Sequence, residues 1–177
     1  MPVLWLLHAL LACAGAPAPG DFGPAPSFSL TDQNGRTRTS ADLAGRVWVA
    51  DFIFTSCTTI CPTLTAGMAD LQSRHPDLIY VSFSVDPQTD TPSVLLAFAE
   101  RFHAAPGWHF LTGPTDQVRK AVVDGFKQAM ETSPGGGPGG TDSVIHGNRF
   151  VVIDKEGRMR GFPAATGSEV EEILDAL

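Results

Sequence analysis

Positive charge is scarce in this 177-residue chain, in which 12 Lys and Arg residues stand against 19 Asp and Glu residues. The net charge of −7 and the lack of any basic stripe argue against a nucleic-acid-binding surface. A P-loop, a Rossmann glycine fingerprint and a four-ligand zinc cluster are also absent from the sequence, so the activities that depend on them are not indicated. A hydrophobic fraction of 43% and a charged fraction of 18% are typical of one compact domain, and the chain is too short for two.

Long apolar runs are lacking as well, and the N-terminal one at residues 3–12 is too short to cross a bilayer. Small residues follow it, as in a signal peptide, although no Lys or Arg precedes it. Residues 10–13 resemble a bacterial lipoprotein processing site, at which Cys13 would be lipidated. The alternatives are an ordinary signal peptide cut after Ala16 and the remnant of a longer anchor. We predict a leader over residues 1–16, a flexible tether over 17–26 and one domain over 27–177, located in a bacterial envelope, facing the periplasm.

Cysteine is scarce too, and two of the three cysteines, Cys57 and Cys61, directly follow a strand-like apolar run at residues 47–54. Cysteines four apart on a helical turn share one face, with Cβ atoms about 5–6 Å apart. A modest local distortion then permits a disulfide. Unpaired N–H groups at the helix start favour an anion at the first cysteine, which predicts a lowered pKa for its thiol. The pair is therefore suited to redox chemistry or to binding a soft metal ion.

Strand and helix patterns alternate along the rest of the chain. Asn34-Gly35 between two short β-prone segments predicts an N-terminal hairpin, and apolar runs at 47–54 and 78–85 predict strands buried on both faces. A later β-hairpin is predicted to turn at residues 154–157. Helices are predicted at 62–74, 92–103 and 115–130, with a short terminal helix that begins at a capping box of Ser168 and Glu171. The order predicts an α/β protein: a thioredoxin-like three-layer α/β/α sandwich with a mixed central sheet and an added N-terminal β-hairpin.

Three segments point to a particular family. They are FIFTSCTTICP at residues 52–62, VSFSVDPQTDTP at 81–92, and VIH at 144–146 ahead of FVVID at 150–154. Together and in this order they closely resemble the Sco/SenC family of copper chaperones, over nearly the whole chain after the tether. The resemblance implies a role in assembling the dinuclear copper A centre of cytochrome c oxidase. Carried over by motif, it also implies that Cys57, Cys61 and His146 bind one copper ion.

The chemistry of these three side chains agrees with that implication. Thiolates suit Cu(I), whereas imidazole also binds Cu(II), so the set accepts either oxidation state. Oxidation to a Cys57–Cys61 disulfide would remove two ligands and release the ion. A lone loop histidine is usually only solvated. His146, however, directly precedes an apolar strand, in a loop that a thioredoxin-like topology puts beside the cysteine turn.

Other side chains near the motifs have a structural and a functional interpretation. Met68 has helical register with core residues, so we predict a core methionine rather than a copper ligand. Asp86 and Asp90 precede prolines, and their simplest roles are turn formation and helix capping. The alternative is a carboxylate that supports the metal site. Asp142, four residues before His146, is a weaker candidate for orienting its imidazole.

Two principal functions from different classes remain open, and a thiol peroxidase or redox sensor, which would need a peroxide-reactive thiolate, is a third. The first is a copper-binding chaperone whose partner is the copper A-bearing oxidase subunit or another periplasmic copper carrier. The second is a thiol-disulfide oxidoreductase that keeps the cysteines of such a partner reduced, with a thiol reductant as its own partner. The first function needs His146 and the second does not. No proline directly precedes the strand at 149–153, where thioredoxins carry a cis-proline, so general disulfide exchange is disfavoured. Membrane tethering at the N-terminus is expected for either function.

Overall fold

The computed structural model describes residues 19–128 and 149–177. The predicted leader, Cys13, Asp142 and His146 lie outside these residues. Within them, the strands form a single sheet in the order β2-β1-β5-β4-β3-β6-β7. The strands are β1 (Ser29–Asp32), β2 (Thr37–Thr39), β3 (Trp48–Ile53), β4 (Ile79–Ser84), β5 (Trp108–Thr112), β6 (Val151–Ile153) and β7 (Met159–Gly161).

The centre of this sheet is parallel and its two flanks are antiparallel. β3 pairs in parallel with β4, and β4 pairs in parallel with β5. On one side β1 joins β5 in the antiparallel sense and carries β2 at the edge. On the other side β6 pairs antiparallel with β3 and carries β7. The mixed sheet and the N-terminal hairpin predicted from the sequence are therefore confirmed.

Helices cover both faces of the sheet. The helices are α1 (Cys61–Arg74), α2 (Pro92–Arg101), α3 (Thr115–Arg119) and α4 (Glu169–Leu174), with a 3₁₀ helix at Ser40–Leu43 and a π-helical segment at Lys120–Gly125. Alternate residues of β3 belong to opposite cores, Val49 to the one under α1, α2 and α4, and Ala50 to the one under α3. Every residue of β3 is buried, as a strand covered on both faces requires. This is the predicted three-layer α/β/α sandwich.

Strand β5 was not among the predicted strands. It alternates between the two cores, with Phe110 in one and Leu111 in the other. Its large apolar residues are Trp108, Phe110 and Leu111, and Gly107, with a φ of 95°, lies directly before it. Five residues between glycines make a weak local pattern. Its strand conformation is decided by hydrogen bonding to β4 on one side and β1 on the other.

The helix predicted at residues 115–130 is shorter than expected. Regular α-helix ends at Arg119, and the chain widens into the π-helical segment before Phe126. Lys127 then adopts a φ of 59°, which a continuing helix does not allow. Gly125 has no room for a side chain, because a Cβ there would lie 2.3 Å from the Cβ of Pro26. Close packing of the N-terminal segment thus accompanies the end of the helix.

The predicted capping box at the start of α4 is wrong. The Ser168 hydroxyl donates to the carboxylate of Glu172, at 3.0 Å, and makes no bond to the helix backbone. Glu171 instead forms an ion pair with Arg74 and a hydrogen bond with His75 at the C-terminal end of α1. The positive charge of Arg74 on α1 attracts the Glu171 carboxylate, which therefore does not bond to the start of its own helix. No local sequence pattern reveals this contact between two helices.

Part of the segment predicted as tether lies on the domain. The Phe22 amide donates to the Met159 carbonyl at 3.0 Å, and the Met159 amide returns a bond to Gly23 at 2.9 Å. Ala25 similarly donates to Gly157 in the β6–β7 turn, at 2.8 Å. The chain is therefore paired with the β6–β7 hairpin before the core begins. Among the described residues, no helix has the length and apolar character needed to cross a membrane.

Candidate metal and dithiol site

The cysteine pair lies at the carboxyl end of β3, where the chain turns into α1. The Cys57 amide closes a turn by donating to the Phe54 carbonyl at 3.2 Å. Cys61 is the first residue of α1, and Pro62 follows where a missing N–H costs the helix nothing. The loop therefore folds Cys57 back over the first turn of the helix.

Hydrogen bonds connect the two cysteines, and most of them end on the sulfur of Cys57. The Cys61 amide donates to Cys57 Sγ at 3.4 Å, and the Thr59 hydroxyl lies 3.6 Å from the same sulfur. The two thiols are also hydrogen-bonded to each other. Cys57 retains 8% of its surface exposed, whereas Cys61 is completely buried. The site thus presents one accessible sulfur with a second directly beneath it.

The surroundings of the two thiols shift their pKa values in opposite directions. Burial alone would raise the pKa of Cys57, but hydrogen bonds from Cys61 and Thr59 outweigh it and hold that pKa below its ordinary value. The prediction of a lowered pKa is confirmed. Burial, and secondly the hydrogen bond to Cys57, raise the pKa of Cys61 far above its usual range. One thiol is therefore suited to ionise and the other to stay protonated.

A buried carboxyl group, Asp51, lies close enough to raise the pKa of Cys61 further through its charge. Asp51 interrupts the apolar β3, is completely buried, and receives no well-formed hydrogen bond at either oxygen. Burial raises its own pKa to about 7, which the neighbouring Ser82 hydroxyl opposes only in part. The sequence signalled that Asp51 needed a partner or solvent. It did not signal that this carboxyl approaches the dithiol.

Asp90 has a different role from the predicted helix cap. The residue that caps α2 is Thr91, whose side chain accepts from the Val94 amide at 3.4 Å. The Asp90 carboxylate is completely buried and accepts bonds from the Thr55 amide, at 3.2 Å, and from the Thr55 hydroxyl. It also accepts from the Ser84 hydroxyl at 2.6 Å. Asp90 therefore joins the end of β4 to the loop that carries Cys57.

The described part of the chain brings two of the three predicted metal ligands together, Cys57 and Cys61. Met68 is completely buried in the core beneath α1, so the prediction of a core methionine is confirmed. His75 is engaged with Glu171 at the far end of α1. Within residues 19–128 and 149–177, no three His, Cys, Asp or Glu side chains converge to hold a metal ion.

Comparison with known proteins agrees with the fold and the motifs. A sequence model described as SCO1/SenC matches residues 19–177. The SCO1 protein homolog of Bacillus subtilis is 36% identical over 158 residues, which cover 85% of this chain and 79% of that protein. The SCO2-like protein of Rickettsia typhi is 35% identical over 136 residues, 75% of this chain and 66% of its own length.

Solved structures extend the likeness to three dimensions. A SCO1/SenC family lipoprotein from Bacillus anthracis superimposes with a TM-score of 0.75 at 33% identity, covering 94% of this chain and 96% of that one. BsSco, a member of the Sco family of cytochrome c oxidase assembly proteins in which a disulfide switch was identified, gives 0.74 at 31% identity, with coverages of 91% and 96%. Yeast Sco1 with copper bound gives 0.71 at 25% identity, with coverages of 90% and 88%. The predicted thioredoxin-like fold is confirmed, and the chain belongs to the SCO1/SenC family.

Proposed function

We propose that this protein is a copper-binding chaperone that holds one copper ion through Cys57, Cys61 and His146 and supports maturation of the copper A centre of cytochrome c oxidase. The observation that carries the proposal is the pair of contacting sulfurs, one of them at a lowered pKa. Soft thiolate ligands suit Cu(I), and copper binds deprotonated sulfur. Related proteins with copper bound and with oxidase assembly roles support the same assignment.

The register of β6 supports His146 as the third ligand. β6 runs antiparallel to β3, with Val151 opposite Ala50 and Ile153 opposite Trp48. The chain therefore enters β6 from the cysteine end of β3. His146 precedes Val151 by five residues in the sequence, and we propose that its imidazole reaches this end of the sheet. An imidazole there would complete a set of two sulfurs and one nitrogen, which tolerates both Cu(I) and Cu(II).

Anaerobic copper titration of the reduced soluble domain tests the ligand set. His146→Ala is expected to lose at least about tenfold in Cu(II) affinity and to change the sulfur-to-copper absorption, because one of three ligands is gone. His103→Asn is the matched control: His103 is exposed just after α2 and has a φ of 55°, which Asn tolerates. If His146→Ala binds Cu(II) with unchanged affinity and spectrum, the three-ligand site is wrong.

The asymmetry of the thiols favours a second candidate function, thiol-disulfide exchange. In that reaction the Cys57 thiolate attacks a partner disulfide, forms a mixed disulfide and releases one partner thiolate. Cys61 then loses its proton and attacks Cys57, which forms the Cys57–Cys61 disulfide and releases the second partner thiol. A thiol reductant restores the pair. With a disulfide-bonded peptide of the copper A-bearing subunit, Cys61→Ser is expected to trap the mixed disulfide. Absence of this adduct would refute the exchange.

We propose that either activity takes place in the bacterial envelope, on a domain held at the membrane by its N-terminus. The similarity to a SCO1/SenC family lipoprotein supports this location. Partition of the full chain between membrane and soluble fractions, compared with a Cys13→Ala variant, tests the anchor. A lipid-anchored chain is expected to leave the membrane fraction when Cys13 is replaced.

A further inference from the structure

The buried carboxylate of Asp90 is bonded almost entirely to the cysteine loop. It accepts from the Thr55 amide at 3.2 Å to each oxygen, from the Thr55 hydroxyl, and from the Ser84 hydroxyl at 2.6 Å. Its side chain does not cap α2, since Thr91 performs that role. A completely buried carboxylate is costly unless it is well hydrogen-bonded. The main structural effect of these hydrogen bonds is therefore to hold Thr55 in place.

Fixation of Thr55 has a direct consequence for the reactive sulfur. Thr55 lies inside the turn that the Cys57 amide closes on Phe54, at 3.2 Å. The same turn brings Cys57 Sγ to 3.4 Å from the Cys61 amide. If Thr55 moved, the Cys57 sulfur would move relative to its hydrogen-bond donors. Asp90 can thus act on the dithiol through the backbone, without touching either sulfur.

We propose that Asp90 is a positioning residue that, through Thr55, holds the Cys57 turn in the hydrogen-bonded geometry of the reduced dithiol. The two cysteines are not joined by a disulfide in this geometry, and the turn places Cys57 Sγ where it accepts from the Cys61 amide at 3.4 Å. Asp90 therefore favours the dithiol over the Cys57–Cys61 disulfide. The inference rests on the dithiol that both proposed functions share and not on copper binding.

The test is the equilibrium of the metal-free soluble domain with glutathione, in which the protein disulfide and two glutathione thiols exchange with the protein dithiol and glutathione disulfide. Asp90→Asn keeps the shape but puts an NH₂ group against donors. We expect the equilibrium to shift at least about threefold toward the protein disulfide, which corresponds to about 14 mV. Thr55→Val should shift it in the same direction, and Thr55→Ser, which retains the hydroxyl, should restore it.

Asp32→Asn is the matched control. Asp32 is also completely buried, and it holds the β1–β2 turn by accepting from the Asn34 and Arg36 amides, each at 2.9 Å. This turn lies beside the amino end of β5, at the opposite end of the sheet from the cysteines. Asp32→Asn is expected to lower Tm and leave the glutathione equilibrium unchanged.

A purely structural role for Asp90 predicts the same pattern for Asp90→Asn as for the control. A lowered Tm with the wild-type glutathione equilibrium in Asp90→Asn and Thr55→Val would therefore overturn the proposal. Should Asp90→Asn fail to fold, the milder Thr55→Val and Ser84→Ala variants decide the question by the same readout. The copper titration of the wild-type domain is independent, so failure of the copper assignment would leave this result intact.

Discussion

Replacement of the buried carboxyl in β3, Asp51→Asn, should remove a pH-dependent loss of stability from the reduced, metal-free protein. Burial raises the pKa of Asp51 from 3.8 to about 7. In the unfolded chain this carboxyl ionises near pH 4, whereas in the folded protein it keeps its proton until near pH 7. The folded state therefore binds more protons than the unfolded state between these values, and its stability falls as pH rises through that window.

The size of the effect follows from the same two pKa values of Asp51. One pH unit of difference is about 1.4 kcal/mol. A gap of about three units therefore corresponds to about 4 kcal/mol, to an order of magnitude, for a group that is completely buried. The loss is absent below about pH 4 and complete above about pH 7. Asn has nearly the same shape and does not ionise, so its variant should lack this dependence.

The assay is urea unfolding from pH 4.5 to 8 with a thiol reductant and a chelator present. The stability difference, Asp51→Asn minus wild type, should rise steadily with pH up to about 7 and then level off. Asp32→Asn should show no such rise, because backbone hydrogen bonds and Arg38 outweigh burial and lower the pKa of Asp32 below its ordinary value of 3.8, under the range of the assay. The contribution of Asp32 is therefore fully present from pH 4.5 to 8 and is lost only at more acidic pH. A difference for Asp51→Asn that stays constant across the range would refute the shifted pKa.

Two further predictions concern packing. A Cβ at Gly67 of α1 would lie 2.6 Å from the Ala165 carbonyl oxygen, so Gly67→Ala should destabilise by about 1–3 kcal/mol in urea unfolding. Helix propensity alone predicts that Gly67→Ala raises the free energy of unfolding by about 1 kcal/mol. Ala66→Gly, at an exposed position of the same helix, measures that propensity difference and is the control. A net increase in stability for Gly67→Ala would contradict the close contact with Ala165. A chain that starts at residue 27 should lose about 1–2 kcal/mol against one that starts at residue 19, since it lacks the backbone bonds to the β6–β7 hairpin. Equal Tm values would show that those bonds add nothing.

The sequence located the dithiol and much of its scaffold because these depend on local patterns. A largely apolar run predicts a strand buried on both faces, as found for β3 and β4. Leu64, Met68 and Leu71 recur at helical spacing, as found in α1. The lowered pKa of Cys57 was predictable in part: the hydrogen bond with the Cys61 thiol contributes most, and the backbone N–H donors found at any helix start add to it.

Local sequence patterns gave the wrong hydrogen-bond partner where a side chain could bond either to its own helix start or to a distant element. Either Asp90 or Thr91 was able to cap α2 by sequence, and capping by Thr91 released Asp90 for the cysteine loop. Glu171 had a local partner in Ser168, but the ion pair with Arg74 of α1 prevailed. Each outcome depends on which charged or polar groups meet across elements far apart in the chain.

By itself, the sequence determined the α/β class, the hairpin, the principal strands and helices, and the dithiol between β3 and α1. Each of these features depends on the types and spacing of residues that are close together in the chain. Only the tertiary structure decided that residues 108–112 form a strand, that Asp51 is buried near Cys61, and that Asp90 holds Thr55. These contacts join residues between 10 and 81 positions apart, the largest separation being that of Thr31 and Thr112. They depend on which strands become neighbours in the sheet, and residue spacing along the chain does not specify that.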